Sequence, residues 1–179
     1  MGLFLLDFAT PGGSPAGVVP LLARVDTALQ QAGGGFIEAQ VADDLQRVYV
    51  VAEHDARAEL LNALTQADLA VAEVAEVRLV GATLDDVKAT RGAAEYLVEW
   101  DLPSGLTMDA YLARKRAKAP LYANVPEVRF LRTYVREDMA KCLCFYDAPD
   151  EAAVRRARAA VDAPIDRLAQ VGGARHGAR

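Results

Sequence analysis

Cys142 and Cys144 are the only two cysteines of the chain, and a single residue separates them. On a strand, residues two apart point the same way, so the pair presents two thiols to one side. Neighbours along one strand rarely reach disulfide geometry. Two readings stay open: small core hydrophobes, or thiolate ligands that share one metal ion. More reactive side chains fall in the same stretch. If the most apolar alternating sets face helices, Glu99, Arg132, Tyr134, Cys142, Cys144 and Tyr146 share the other sheet face. A buried carboxylate needs a partner. Glu99 and Arg132 are then either a structural ion pair or part of a site in which Glu99 is acid or base and the tyrosines donate hydrogen bonds. The same alternation places Asp7, Glu38, Gln40, Val48, Val50 and Ala52 on that face in the first half. A helix from Met108 to about Lys118 carries Arg114, Lys115, Arg116 and Lys118. These read as a solvated face or as a means of steering an anionic ligand.

Other chemistries lack their residues. The chain has only His54 and His176, and no zinc-type spacing. Gly33-Gly34-Gly35 precedes a strand instead of opening a helix, which makes it a poor phosphate loop. Nucleotide fingerprints and nucleophile elbows are missing.

The elements that must position these residues come in two matching sets. FIEAQVADDLQRVYV (36–50) aligns without a gap on FLRTYVREDMAKCLC (130–144), 94 residues later. The offset holds where VAEVAEV (71–77) meets IDRLAQV (165–171), and slips by two where FLLDF (4–8) meets YLVEW (96–100). Such a repeat makes two small units out of one chain. Each half reads strand, helix, strand, strand, helix, strand. In the second half Thr107 and Asp150 are N-caps, and a hairpin turns at Glu137-Asp138. We expect an α+β fold: tandem ferredoxin-like βαββαβ repeats, packed sheet to sheet as a pseudo-dimeric α+β barrel. The expected boundaries are a first repeat over 1–80, a linker over 81–93, a second repeat over 94–171 and a flexible tail over 172–179.

The net charge of −5 divides unevenly: residues 1–88 carry 13 acidic and 5 basic side chains, residues 89–179 carry 12 acidic and 15 basic. Opposite charge would help align two halves. Nucleic acid is an unsuited partner, because the chain is acidic overall and its basic residues are not interleaved with aromatics. No apolar run approaches the roughly 18 residues of a membrane span, and the first residues lack a basic region and cleavage signal. The expectation is a cytoplasmic protein with reduced thiols, either a monomeric pseudo-dimer or a homodimer.

Tyr96-Leu97-Val98-Glu99, Leu131-Arg132-Thr133-Tyr134-Val135 and above all Cys144-Phe145-Tyr146-Asp147-Ala148-Pro149-Asp150-Glu151 resemble small bacterial ferredoxin-like proteins described as nickel-binding or nickel-responsive, many carrying only a "domain of unknown function" label. The resemblance runs over about 95–171, and the first half looks like a diverged second copy. It implies a dimeric α+β arrangement and metal binding, with nickel or another divalent transition metal as cofactor and Cys144 as a ligand, to which the strand position of Cys142 would add a second thiolate. A histidine that often follows the Ala-Pro-Asp-Glu block is replaced here by Ala153-Val154-Arg155-Arg156-Ala157-Arg158. Two functions are therefore expected: a small metal-binding protein, or a small-molecule-binding protein or enzyme with a polar site between the sheets, using Glu99, Arg132, Tyr134 and Tyr146.

Overall fold

The computed structural model describes residues 1–173. They form two compact units: residues 1–77 and 83–93 with the chain end from 171, and residues 78–82 with 94–170. His176 and the rest of the expected tail beyond Gly173 lie outside the described residues. Among the described residues no helix is long and apolar enough to cross a membrane.

Unit 1 begins with β1 (Gly2–Ala9), two short 3-10 turns and α1 (Val18–Gln31). Ser14 caps the second of these turns, and the chain becomes α-helical at Val18. β2 (Gly35–Ala42), β3 (Arg47–His54), α2 (Arg57–Gln66) and β4 (Glu73–Val80) follow. Antiparallel pairing gives the order β4-β1-β3-β2. Val48 pairs with Phe8, Val50 with Leu6 and Ala52 with Phe4, and all six join the core under α1 and α2. Directly paired residues share a face. Val48, Val50 and Ala52 thus face the helices, opposite to the expectation, whereas Asp7, Glu38 and Gln40 share the other face with Tyr49 and Val51.

Within 81–93, the stretch expected to be a linker, Leu84–Thr90 forms a helix, α3. Its start is a capping box: Thr83 accepts from the Asp86 amide, and the Asp86 carboxylate accepts from the Thr83 amide. α3 contacts β2, and Gln40 donates to the Gly92 carbonyl just beyond it. Gly92 has φ +66°, and a Cβ there would run into Glu38, so both the turn and the close approach require glycine.

Unit 2 runs β5 (Tyr96–Asp101), α4 (Met108–Lys118), a 3-10 turn (Ala119–Asn124), β6 (Arg129–Arg136), β7 (Lys141–Asp147), α5 (Glu151–Ala160) and β8 (Arg167–Gln170). Its order is β8-β5-β7-β6, all antiparallel. Thr107 and Asp150 cap α4 and α5 as their positions suggested. The two units share irregularities 94 residues apart. The register of β2 slips between Phe36 and Glu38 and that of β6 between Phe130 and Arg132. Asp68 and Asp162, each just past a helix, have φ of 51° and 52°. A last short strand, β9 (Gly172–Gly173), pairs with β2 within unit 1, in a stretch expected to be loose.

Candidate functional site

β7 buries both of its rows: Cys142, Leu143, Cys144, Phe145 and Tyr146 are all inaccessible. Apolarity therefore cannot say which row meets the helices, and the register decides. Trp100 pairs with Cys142, Val98 with Cys144 and Tyr96 with Tyr146. This set packs with Tyr111 of α4 and with Ala153, Val154 and Ala157 of α5. Cys142, Cys144 and Tyr146 thus lie on the helix side of the sheet, not on the face expected for them. Glu99 and Tyr134, both in register with Leu143, and Arg132, in register with Phe145, take the opposite face. The residues proposed as one site from the sequence are divided by the sheet.

On the opposite face Glu99 is 2% exposed, and its carboxylate accepts from Arg167 Nε and lies 3.7 Å from Lys141 Nζ. The Arg132 guanidinium sits 4.7 Å from the Phe145 ring centre, and Tyr134 meets that ring edge-on. Glu99 is thus held in an ion-pair cluster. Removing it takes a partner from two cations, but Arg167 keeps Asp101 at 2.6 Å, and Arg167 and Lys141 keep 37% and 26% of their side chains exposed and can rehydrate. Glu99→Ala is therefore expected to cost about 2 kcal/mol, below the roughly 3–5 of a fully buried pair. Urea denaturation measures it, and an unchanged midpoint would show the cluster to be energetically idle.

On the helix side the two sulfurs are 3.9 Å apart. Cys144 Sγ accepts from Thr133 Oγ1 at 3.1 Å and from Arg158 Nη1 at 3.5 Å. Lys115 Nζ donates to the Thr133 hydroxyl at 3.0 Å. Arg158 Nη1 also reaches the Tyr146 hydroxyl at 3.3 Å, and Nη2 donates to the Pro164 carbonyl. The Tyr146 and Tyr122 hydroxyls are 2.9 Å apart. Helix periodicity delivers these groups. Ala153, Val154, Ala157 and Arg158 form one buried stripe of α5, and Tyr111 and Lys115 are one turn apart on α4.

The electrostatics separate the two thiols. A hydrogen bond from Cys142 holds Cys144 well below the usual thiol range, aided by the charges of Lys115 and Arg158 and by Thr133, against the cost of burial. The same hydrogen bond, together with burial, pushes Cys142 up. The two thiols therefore titrate as a pair in which Cys144 is the more acidic member. Burial keeps the Tyr146 phenol protonated. Burial also opposes the Arg158 charge, but the Cys144 thiolate and the Tyr146 oxygen more than offset it. Arg158, Lys115, Thr133, Tyr111 and Tyr122 had no place in the site read from the sequence. The available signal was Arg158, a charge on the apolar stripe of an otherwise amphipathic helix.

Cys144, Tyr146 and the helix-capping Ala148-Pro149-Asp150 thus belong to one structural unit, the block on which the resemblance rested. Residues 96–171 match the family described as "Nickel responsive protein SCO4226-like". No curated protein matches the sequence. In fold, the whole chain is similar to the putative chlorite dismutase TA0507, with a TM-score of 0.57 and 13% identity over 96% of this chain and 95% of that one. A putative monooxygenase from Lactobacillus acidophilus NCFM gives a TM-score of 0.49 and 7% identity, covering 97% and 94%. At such identity the first likeness is one of fold alone. The nickel named by the SCO4226-like family can be tested against the donors of the matched segment. Cys142 and Cys144 supply two sulfurs, and among the described residues no group of three or more His, Cys, Asp or Glu is placed to hold a metal. Two cationic side chains stand close by. This set does not by itself complete the square or tetragonal site that Ni²⁺ favours.

Proposed function

We propose that this chain is a metal-binding protein of the metal-responsive type, built from two ferredoxin-like repeats in tandem, with Cys142 and Cys144 of the second repeat as its ligands. The observation that carries the reading is the thiol pair itself: two sulfurs on one strand, 3.9 Å apart, with Cys144 held below the usual thiol range by its hydrogen bond from Cys142. The family match over 96–171 supports it. Thiolates favour soft ions, copper(I) above all. An ion content with two sulfurs needs no further protein donor. A dithiolate holding a monovalent ion is net negative, and the charges of Arg158 and Lys115 more than offset it. The ion would replace protons on the sulfurs, so uptake releases protons.

The test is metal content after anaerobic loading with copper(I) and, separately, with Ni²⁺. The expected result is one copper(I) per chain, abolished in Cys142→Ser/Cys144→Ser, with Ni²⁺ lost on desalting. Equal copper uptake by the double variant would sink the reading. Retention of one Ni²⁺ that depends on both cysteines would keep the ligands and replace the ion.

A further inference from the structure

Beside the thiol pair, within unit 2, lies a cavity of about 60 Å³. It is framed by α4, the following 3-10 turn and α5. Four aromatic residues, Trp100, Tyr111, Tyr122 and Phe130, form its walls, and Lys115 and Arg158 bring positive charge to it. Arg114 and Lys118 also line it, both close to Asp162, at 3.3 and 4.0 Å. Among the described residues no acidic side chain lines it.

Arg158 gives the cavity its meaning. The residue is 3% exposed, and its two terminal nitrogens are engaged by Cys144, Tyr146 and Pro164. Its Nε has no hydrogen-bond partner among the described residues. A buried donor left unpaired costs about 1–3 kcal/mol. A guanidinium has donors only, so what satisfies Nε must be an acceptor. Charge points the same way. Lys115, Arg158, Arg114 and Lys118 all line the cavity, with Asp162 the acidic group beside the last two.

We propose that this cavity is a binding site for a small anion, a short carboxylate or a planar oxyanion, held between the cationic side chains of Arg158 and Lys115 that line it. Size narrows the class. At about 10–15 Å³ for each water-sized occupant, the space holds roughly four non-hydrogen atoms. Acetate, nitrate and bicarbonate are of that size. The aromatic walls suit planar groups. The metal-free protein suffices for binding, so this inference stands or falls apart from the metal reading.

Trp100 is the only tryptophan of the chain and a wall of the cavity, so its fluorescence reports occupancy directly. The experiment titrates chelator-treated protein with sodium acetate in a bulky zwitterionic buffer at low salt. A saturable change in emission is expected, weakened at least tenfold in Lys115→Met and in Arg158→Gln. Lys115 is only half-buried, so its variant keeps the test valid if the Arg158 variant fails to fold. An emission that does not saturate, or equal affinity in wild type and Lys115→Met, would overturn the proposal.

Discussion

Arg158→Leu lowers the unfolding free energy by about 3 kcal/mol at neutral pH, and by more at alkaline pH. The side chain is almost fully buried and donates to the Cys144 sulfur, the Tyr146 hydroxyl and the Pro164 carbonyl. Deleting one member of a buried pair costs roughly 3–5 kcal/mol when the other must stay charged. Here Cys144 can take up a proton instead, which places the loss at the low end of that range. The pH dependence follows from the direction of the Cys144 shift. Its folded value lies below the ordinary thiol value of about 8.5. The thiolate–guanidinium attraction is fully present above about pH 8.5 and is lost as pH falls through the folded value. The stability gap between wild type and Arg158→Leu should therefore widen from about pH 6 to about pH 9. Urea denaturation across that range measures it. A constant gap would mean that Arg158 works through packing and the Pro164 carbonyl, not through the thiolate.

How far the site was legible depends on what kind of information each residue carries. Thr107 and Asp150 start helices through contacts within three residues, and such local chemistry can be read directly. Thr83 and Asp86 form a capping box of the same local kind, yet the surrounding stretch, rich in charged and small residues, reads as a linker. Glu99, Arg132 and Tyr134 share a face as their alternation suggests. Cys142, Cys144 and Tyr146 do not join them. Assigning their side needs a contrast between an apolar and a polar row, and β7 buries both rows. Only the pairing of Val98 with Cys144 resolves it, and register is a long-range property. The consequence is chemical: thiols expected beside Glu99 instead meet Arg158 and Lys115. Arg158 is legible as a charge on the apolar stripe of α5, in the stretch where the resembled family often carries a histidine.

Laying the halves on one another at an offset of 94 yields the sharpest test of why these polar groups are there. Cys142 falls on Val48, Cys144 on Val50 and Arg158 on Leu64, and all three unit 1 residues are buried in its core. One sheet-and-helix arrangement is thus filled with aliphatic side chains in one unit and with a thiol pair and a guanidinium in the other. Well-packed hydrophobic residues in place of a buried ionic cluster are often neutral or stabilising by about 1–4 kcal/mol, because the desolvation cost disappears with the charges. The triple variant Cys142→Val/Cys144→Val/Arg158→Leu should accordingly regain all the stability lost in Arg158→Leu and match or exceed wild type by about 1 kcal/mol. Residues in one network are strongly non-additive, so the recovery should far exceed the sum of the single effects. The same variant should bind neither copper(I) nor acetate. Recovered stability with both ligands lost would mean that unit 2 keeps this cluster for binding, at a cost to its fold. A triple variant as unstable as Arg158→Leu alone would instead make the cluster structural, and would remove the main physical reason to look for a ligand beneath α4.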